Sequence, residues 1–232
     1  MRTPKSVGRI IGMLLLLQFI GGLLVNFVFM EPVFAAPGFL SNAAGHSLLI
    51  SVSVLLGLAT GLTSLAIAIT GYQVFRQYSQ VMALWFIALA VASFTLNAVE
   101  NVNLMSMLTL SEAYAKANGA DHDLFQALRG VVAASRNWAH YIGLLGGGST
   151  LLVVYSLWFR FALVPRLLAA CGIGAVALQM IAVAMPLFGQ SILFQMLAPL
   201  AIVQLIATVW LLTKGLAGAD QARKARGLSA RQ

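Results

Sequence analysis

Six long apolar stretches constrain this chain more than any other feature. Residues 10–30 and 137–159 run for 21 and 23 residues without Asp, Glu, Lys or Arg, and residues 47–69 are also uncharged. A helix needs roughly 20 mostly apolar residues to cross the hydrocarbon core of a bilayer. Because lipid cannot satisfy backbone hydrogen bonds, such stretches are stable there as helices. The sequence therefore predicts an all-α, polytopic membrane bundle.

The predicted transmembrane helices cover residues 10–30, 47–69, 81–107, 131–159, 167–185 and 192–212, in one membrane domain at residues 1–215. A polar loop is predicted at residues 111–123, where Asn118-Gly119 marks a turn. A basic tail follows at residues 216–232. The first helix resembles a signal peptide with a cleavage site near Ala35, but its apolar run exceeds the usual 7–15 residues or so. We therefore expect this helix to be retained.

Composition and charge placement agree with a membrane location. Only 9% of the residues are charged, against about 25% in soluble domains. The formal charge of +8 could indicate a nucleic-acid partner, but the cations cluster at alternate helix ends. Lys116, Arg129 and Arg136 fall on one side, and the other eleven of the 14 Lys and Arg residues fall on the opposite side. Cytoplasmic segments are enriched in Lys and Arg, so both termini are predicted to be cytoplasmic and no nucleic-acid partner is expected.

Polar side chains gather near the outer ends of helices 3 and 4. Helical rise places Glu100 about 30 Å from Gln80, His140 about 30 Å from Arg160, and Arg136 about 36 Å from Arg160. Because the hydrocarbon core is about 30 Å thick, these groups should lie at matching heights near its outer boundary. An ion pair or hydrogen bond from Glu100 to helix 4 is therefore expected. The candidate binding residues are Asn97, Glu100, Asn101, Arg136, Asn137 and His140.

The same residues allow several interpretations. Ionisable groups at a boundary can extend to the headgroups, and a Glu–Arg pair can simply join two helices. Alternatively, intramembrane ionisable residues indicate a functional site, here an outward-facing pocket. A zinc site built from His46, His122 and His140 is disfavoured, because these residues are far apart in sequence and lack a regular ligand spacing. No metal and no cofactor are therefore predicted.

Short motifs spread along the chain resemble a known family. They are Arg-Ile-Ile-Gly at 9–12, Val-Pro-Arg-Leu-Leu at 164–168, Ala-Pro-Leu at 198–200 and Val-Trp-Leu-Leu-Thr-Lys-Gly at 209–215. Their order and spacing resemble the bacterial membrane family called domain of unknown function 4386. The resemblance implies six membrane helices, a bacterial inner-membrane location and no assigned reaction. The chain departs from the pattern of that family at two positions. Asn97 stands where family members often have Arg, and Gln204 stands where many have an acidic residue.

Three hypotheses for function follow. The first is a protein that binds or moves a small molecule or lipid through the polar pocket. The second is a structural or sensory protein that acts through a membrane partner. The third is a membrane-embedded enzyme that uses Glu100 and His140, which requires the two groups within about 3 Å or one water of each other. Membrane lipids are the expected partners, together with a homo-oligomer or another membrane protein.

Overall fold

A computed structural model describes residues 3–117 and 121–218 of the chain. This part is helical, and it contains six helices that are long and apolar enough to cross a membrane. The chain is therefore an integral, multi-pass membrane protein, as the apolar stretches predict. The helices are α1 (Pro4–Phe34), α2 (Ala44–Phe75), α3 (Gln80–Lys116), α4 (His122–Phe161), α5 (Arg166–Phe188) and α6 (Phe194–Thr213).

Local sequence explains how several of these helices begin and end. Residues Val25–Phe29 of α1 form a π-helical stretch, and Pro32 lies in the short turn of helix that follows. The regular part of α5 ends at Ala184, one residue before a tighter turn that contains Pro186. In α6, Pro199 lies in the first regular turn, where its missing N–H removes no hydrogen bond.

The third and fourth helices are longer than the sequence predicts. Helix α3 continues from residue 107 to Lys116. Helix α4 begins at His122, so residues 124–136, whose spacing predicts a helix, are continuous with the membrane helix predicted from about residue 131. Much of the predicted polar loop at residues 111–123 is therefore helical. Their 37 and 40 residues correspond to about 55 and 60 Å. Even at a tilt of about 40°, the upper end of the usual range, such helices extend beyond a 30 Å hydrocarbon core.

Smaller differences occur at the other helix ends. Helix α1 starts at Pro4 and ends at Phe34, α2 extends to Phe75, α5 extends to Phe188, and α6 starts at Phe194. The predicted Asn118-Gly119 turn and the basic residues Arg223, Lys224, Arg226 and Arg231 lie outside the described residues. The first residues of the predicted tail, Leu216–Gly218, are in the described part. The Leu216 side chain is buried.

One compact unit comprises the described residues of Met1–Leu16, Thr63–Ser93 and Leu144–Gln232. Its core contains Tyr155 and Trp158, whose ring centroids lie 5.1 Å apart at an interplanar angle of 81°. The Tyr155 ring occupies the space that a Cβ on Gly172 would need. Near the chain ends, Gly215 has φ +72° and packs against the Lys5 backbone. Glycine suits this position because it has no Cβ and adopts positive φ at little cost.

A second compact unit comprises Leu17–Leu62 and the described residues of Phe94–Gly143. Its core includes Val33 from α1, Ile50 from α2 and Met107 from α3. Phe39 joins this core from the link between α1 and α2. Residues from three helices and one link thus form this core beside the C-terminal half of α3, and the candidate site lies in this unit.

Candidate functional site

Glu100 is the centre of a three-residue cluster formed by α3 and α4. Arg136 donates a hydrogen bond from Nη2 to Oε1 of Glu100 over 3.2 Å, and Nδ1 of His140 lies 2.9 Å from the same oxygen. Arg136 and His140 are four residues apart, so they lie on the same face of α4. One carboxylate oxygen therefore contacts two consecutive turns of the neighbouring helix.

The cluster is partly accessible rather than sealed. The side chains of Arg136, Glu100 and His140 are 19%, 22% and 30% exposed. The Arg136 guanidinium also lies over the Phe34 ring, 5.5 Å from its centroid, which is within the usual range for a cation–π contact. Arg136 is therefore held by a carboxylate on one helix and by an aromatic ring at the end of α1.

Asn97 and Asn101 lie outside this cluster, although their spacing predicts that they share a helical face with Glu100. The amide of Asn101 donates to the backbone oxygen of Asn97 over 2.8 Å and to its side-chain oxygen over 3.2 Å. Both residues pack against α2, where a Cβ on Gly57 would lie 2.8 Å from Oδ1 of Asn101. A Cβ on Gly61 would lie 3.0 Å from Oδ1 of Asn97. The two amides therefore belong to the α2–α3 contact, and Glu100 belongs to the α3–α4 contact.

A pocket of about 250 Å³ adjoins the cluster. Arg136 and Asn137 line it from α4, and Arg129 lines it two turns away on the same helix. Its other walls are apolar. They consist of Phe34, Phe39, Met107 and Ala133. Arg136 belongs to both the cluster and the pocket.

The link between α1 and α2 forms one wall of the pocket and is anchored to α3 by Ser111. The buried Ser111 hydroxyl donates to the carbonyl of Leu40 and accepts from the amide of Ala44, both over 2.9 Å. The Asn42 side chain also donates to the Ala35 carbonyl over 2.7 Å. These bonds hold the link, and with it Phe39, beside α3.

Several residues of this region are not predicted from the sequence. Ser111 falls in the predicted polar loop, Arg129 is predicted only as a cation on the outer side, and no role is predicted for Phe34 or Phe39. The position of Arg129 offered a signal, because it lies seven residues before Arg136 and therefore on the same helical face. For the two phenylalanines the sequence offered no signal, because they reach the pocket through tertiary packing of the link.

The three histidines have separate partners. His46 Nδ1 lies 2.9 Å from the Asn42 carbonyl oxygen, His122 Nδ1 lies 3.3 Å from the Tyr114 hydroxyl, and His140 contacts Glu100. Within residues 3–117 and 121–218, no group of three or more His, Cys, Asp or Glu residues is placed to hold a metal ion.

Comparison with curated proteins and with solved structures found no match. A family does match, over residues 10–215, and it is described as "Domain of unknown function (DUF4386)". The match covers all six membrane helices except the first residues of α1, as the resemblance of the short motifs implies. This chain therefore belongs to the DUF4386 family.

Proposed function

We propose that this protein binds a small molecule or lipid in the pocket beside the Glu100–Arg136–His140 cluster. One observation carries the proposal: Arg136 pairs with Glu100 and also lines a pocket of about 250 Å³. A half-buried guanidinium held by a carboxylate is oriented before any ligand arrives, which lowers the cost of ordering it on binding. The protein would act as a binding protein or a carrier in the bacterial inner membrane.

We also propose that the pocket faces the outer side of the membrane. Eleven of the 14 Lys and Arg residues lie in segments assigned to one side, and cytoplasmic segments carry this excess. Both termini would then be cytoplasmic, and the pocket would face the outer side. Membrane lipid is the nearest source of ligand there.

A pocket-filling variant tests the proposal. Ala133 lines the pocket, whereas the next residue, Ala134, is exposed and does not line it. We expect Ala133→Phe to lose a ligand that remains bound to the wild-type protein and to the Ala134→Phe control. The measurement is native mass spectrometry of protein released from lipid nanodiscs. An identical set of bound masses in all three proteins would refute pocket binding.

A structural or sensory role through a membrane partner is the first alternative. The direct contact between Glu100 and Arg136 supports it, because an ion pair can join α3 to α4 without any ligand. In that case Ala133→Phe would leave the bound masses unchanged, while an interaction with another membrane protein would depend on the exposed faces of the helices.

An enzymatic role is the second alternative. Its support is the 2.9 Å distance between Glu100 Oε1 and His140 Nδ1, which is within the range needed for proton transfer. Glu100→Gln would then abolish turnover of a substrate while preserving its binding. Unchanged turnover in Glu100→Gln would exclude this role for Glu100.

A further inference from the structure

The pocket has a cationic side, and its lining within the described residues contains no acidic side chain. Arg129 and Arg136 lie two helical turns apart on one face of α4 and both line the pocket. Among the lining residues found in the described part of the chain, Asn137 is the remaining polar one, and it is neutral. A ligand that enters this pocket therefore meets two guanidinium groups.

The charges around these two arginines do not cancel. Glu100 neutralises Arg136, and its other ionisable partner is His140. Arg129 donates from Nη1 to the neutral Oε1 of Gln126 over 3.3 Å, and it forms no salt bridge with any residue in 3–117 or 121–218. Counted together, Arg129, Arg136 and Glu100 carry one net positive charge.

Arg136 also retains an unused donor. Its Nε is buried and has no hydrogen-bond partner within the described residues. A buried N–H without an acceptor is unfavourable, and arginine commonly binds carboxylate and phosphate groups through two N–H donors at once. An anionic oxygen that reaches this edge of the guanidinium would give Nε an acceptor while Nη2 remains on Glu100.

The opposite walls accept apolar atoms. Phe34, Phe39 and Met107 line them, and Phe34 is 42% exposed. The cavity volume of about 250 Å³ is smaller than the 300–1,000 Å³ or so of typical ligand sites. It therefore fits a headgroup and the first carbons of a chain rather than a complete lipid.

We propose that the ligand is an amphiphilic anion, with a phosphate or carboxylate group between Arg129 and Arg136 and an alkyl chain that leaves along Phe34. This inference rests on the proposed pocket function and specifies its ligand class. The expected height of Arg136, about 36 Å from Arg160, agrees with a headgroup contact, because headgroups lie just outside a core of about 30 Å.

The test uses the full chain in phosphatidylcholine nanodiscs, with native mass spectrometry as the readout. The probes are phosphatidylglycerol, oleate, dodecyl phosphate and, as a cationic counterpart, dodecyltrimethylammonium. We expect the anionic probes to remain bound to the protein after its release from the nanodisc. Phosphatidylcholine and the cationic probe should dissociate at that step. Binding of phosphatidylglycerol but not oleate would identify a membrane phospholipid as the source, and the reverse result would identify a free fatty acid.

Arg129→Gln is the informative variant, because Arg129 is exposed and its loss leaves the Glu100–Arg136 pair intact. We expect its affinity for the anionic probes to fall about tenfold, as for the loss of one charge-assisted contact. Lys116→Gln, which removes another outer cation that does not line the pocket, should bind as wild type.

The outcomes separate the two proposals. If Ala133→Phe abolishes binding of a neutral or cationic probe, the pocket function stands and the anionic assignment is overturned. Equal binding of anions by wild type and Arg129→Gln would also overturn that assignment. If no probe shows binding that depends on Ala133, both the pocket function and the anion fail.

Discussion

Arg136 donates to Glu100 over 3.2 Å, and this bond joins α4 to α3 near the outer boundary that the sequence predicts. The same Glu100 oxygen lies 2.9 Å from His140. A carboxylate that is only 22% exposed depends on such partners, because burial without them is costly. The pair therefore links α3 to α4 directly, without a ligand.

The first prediction concerns the free energy of unfolding of Glu100→Gln. The variant removes the negative charge and leaves Arg136 half-buried beside a neutral amide. We expect a loss of about 1.5–3 kcal/mol, the usual worth of a hydrogen bond to a charged group. The measurement is chemical or thermal unfolding in detergent micelles, followed by tryptophan fluorescence.

A double-mutant cycle separates the pair from other effects of the substitution. The double variant Glu100→Gln/Arg136→Gln should lose less free energy of unfolding than the two single variants lose in sum. We expect the difference, which is the coupling energy, to be about 0.5–3 kcal/mol. Glu112→Gln on the same helix is the control, since Glu112 is exposed and forms no salt bridge in the described part of the chain. Additive losses would show that the contact does not stabilise the protein.

The second prediction concerns the contact between α2 and α3. A Cβ on Gly57 would lie 2.8 Å from Oδ1 of Asn101. The asparagine would have to move, although its side chain is buried and its amide donates to the Asn97 carbonyl. We expect Gly57→Ala to lower the unfolding midpoint, although alanine is the better helix former by about 1 kcal/mol.

Gly22 supplies the matched control for this substitution. It also lies in a helix of the same unit, and a Cβ there would meet nothing within 4 Å. Gly22→Ala should therefore leave stability unchanged or raise it. A midpoint for Gly57→Ala equal to that of Gly22→Ala would contradict the close approach of Asn101 to α2.

The third prediction concerns the link between α1 and α2. Ser111→Ala removes the hydroxyl that bonds both Leu40 and Ala44, and each unsatisfied buried partner costs about 1–3 kcal/mol. We expect faster amide hydrogen exchange across residues 35–46, measured by mass spectrometry. Ser106→Ala, which removes an exposed hydroxyl bonded to the Val102 carbonyl of its own helix, is the control. Equal exchange in both variants would argue against the anchoring role.

The fourth prediction concerns orientation. In a Cys171→Ala background, we expect Glu112→Cys to react with a membrane-impermeant maleimide in intact spheroplasts, and Gln77→Cys to react only after lysis. Both positions are exposed at helix ends, so accessibility to the reagent depends on the side of the membrane. The reverse pattern would place the termini and the pocket on the opposite sides from those proposed.

The sequence by itself determined the class of fold. Long uncharged stretches satisfy their backbone hydrogen bonds in lipid as helices. The number of membrane helices and their approximate centres therefore follow from the distribution of apolar residues along the chain. Helix ends were less predictable. Helix α3 continues past residue 107 because Met107, Leu108 and Ser111 pack against the α1–α2 link, and no local signal in residues 108–116 reports that contact.

The tertiary structure alone decided how the polar residues are divided. Helical spacing places Asn97, Glu100 and Asn101 on one broad face, but two neighbouring helices cover that face. Gly57 and Gly61 leave room on α2 for the two amides, so Glu100 is left to meet α4. Helical periodicity predicts which residues share one face of a helix. Which neighbour each residue meets depends on the packing of distant segments, and the same packing brings Phe34 and Phe39 to the arginines.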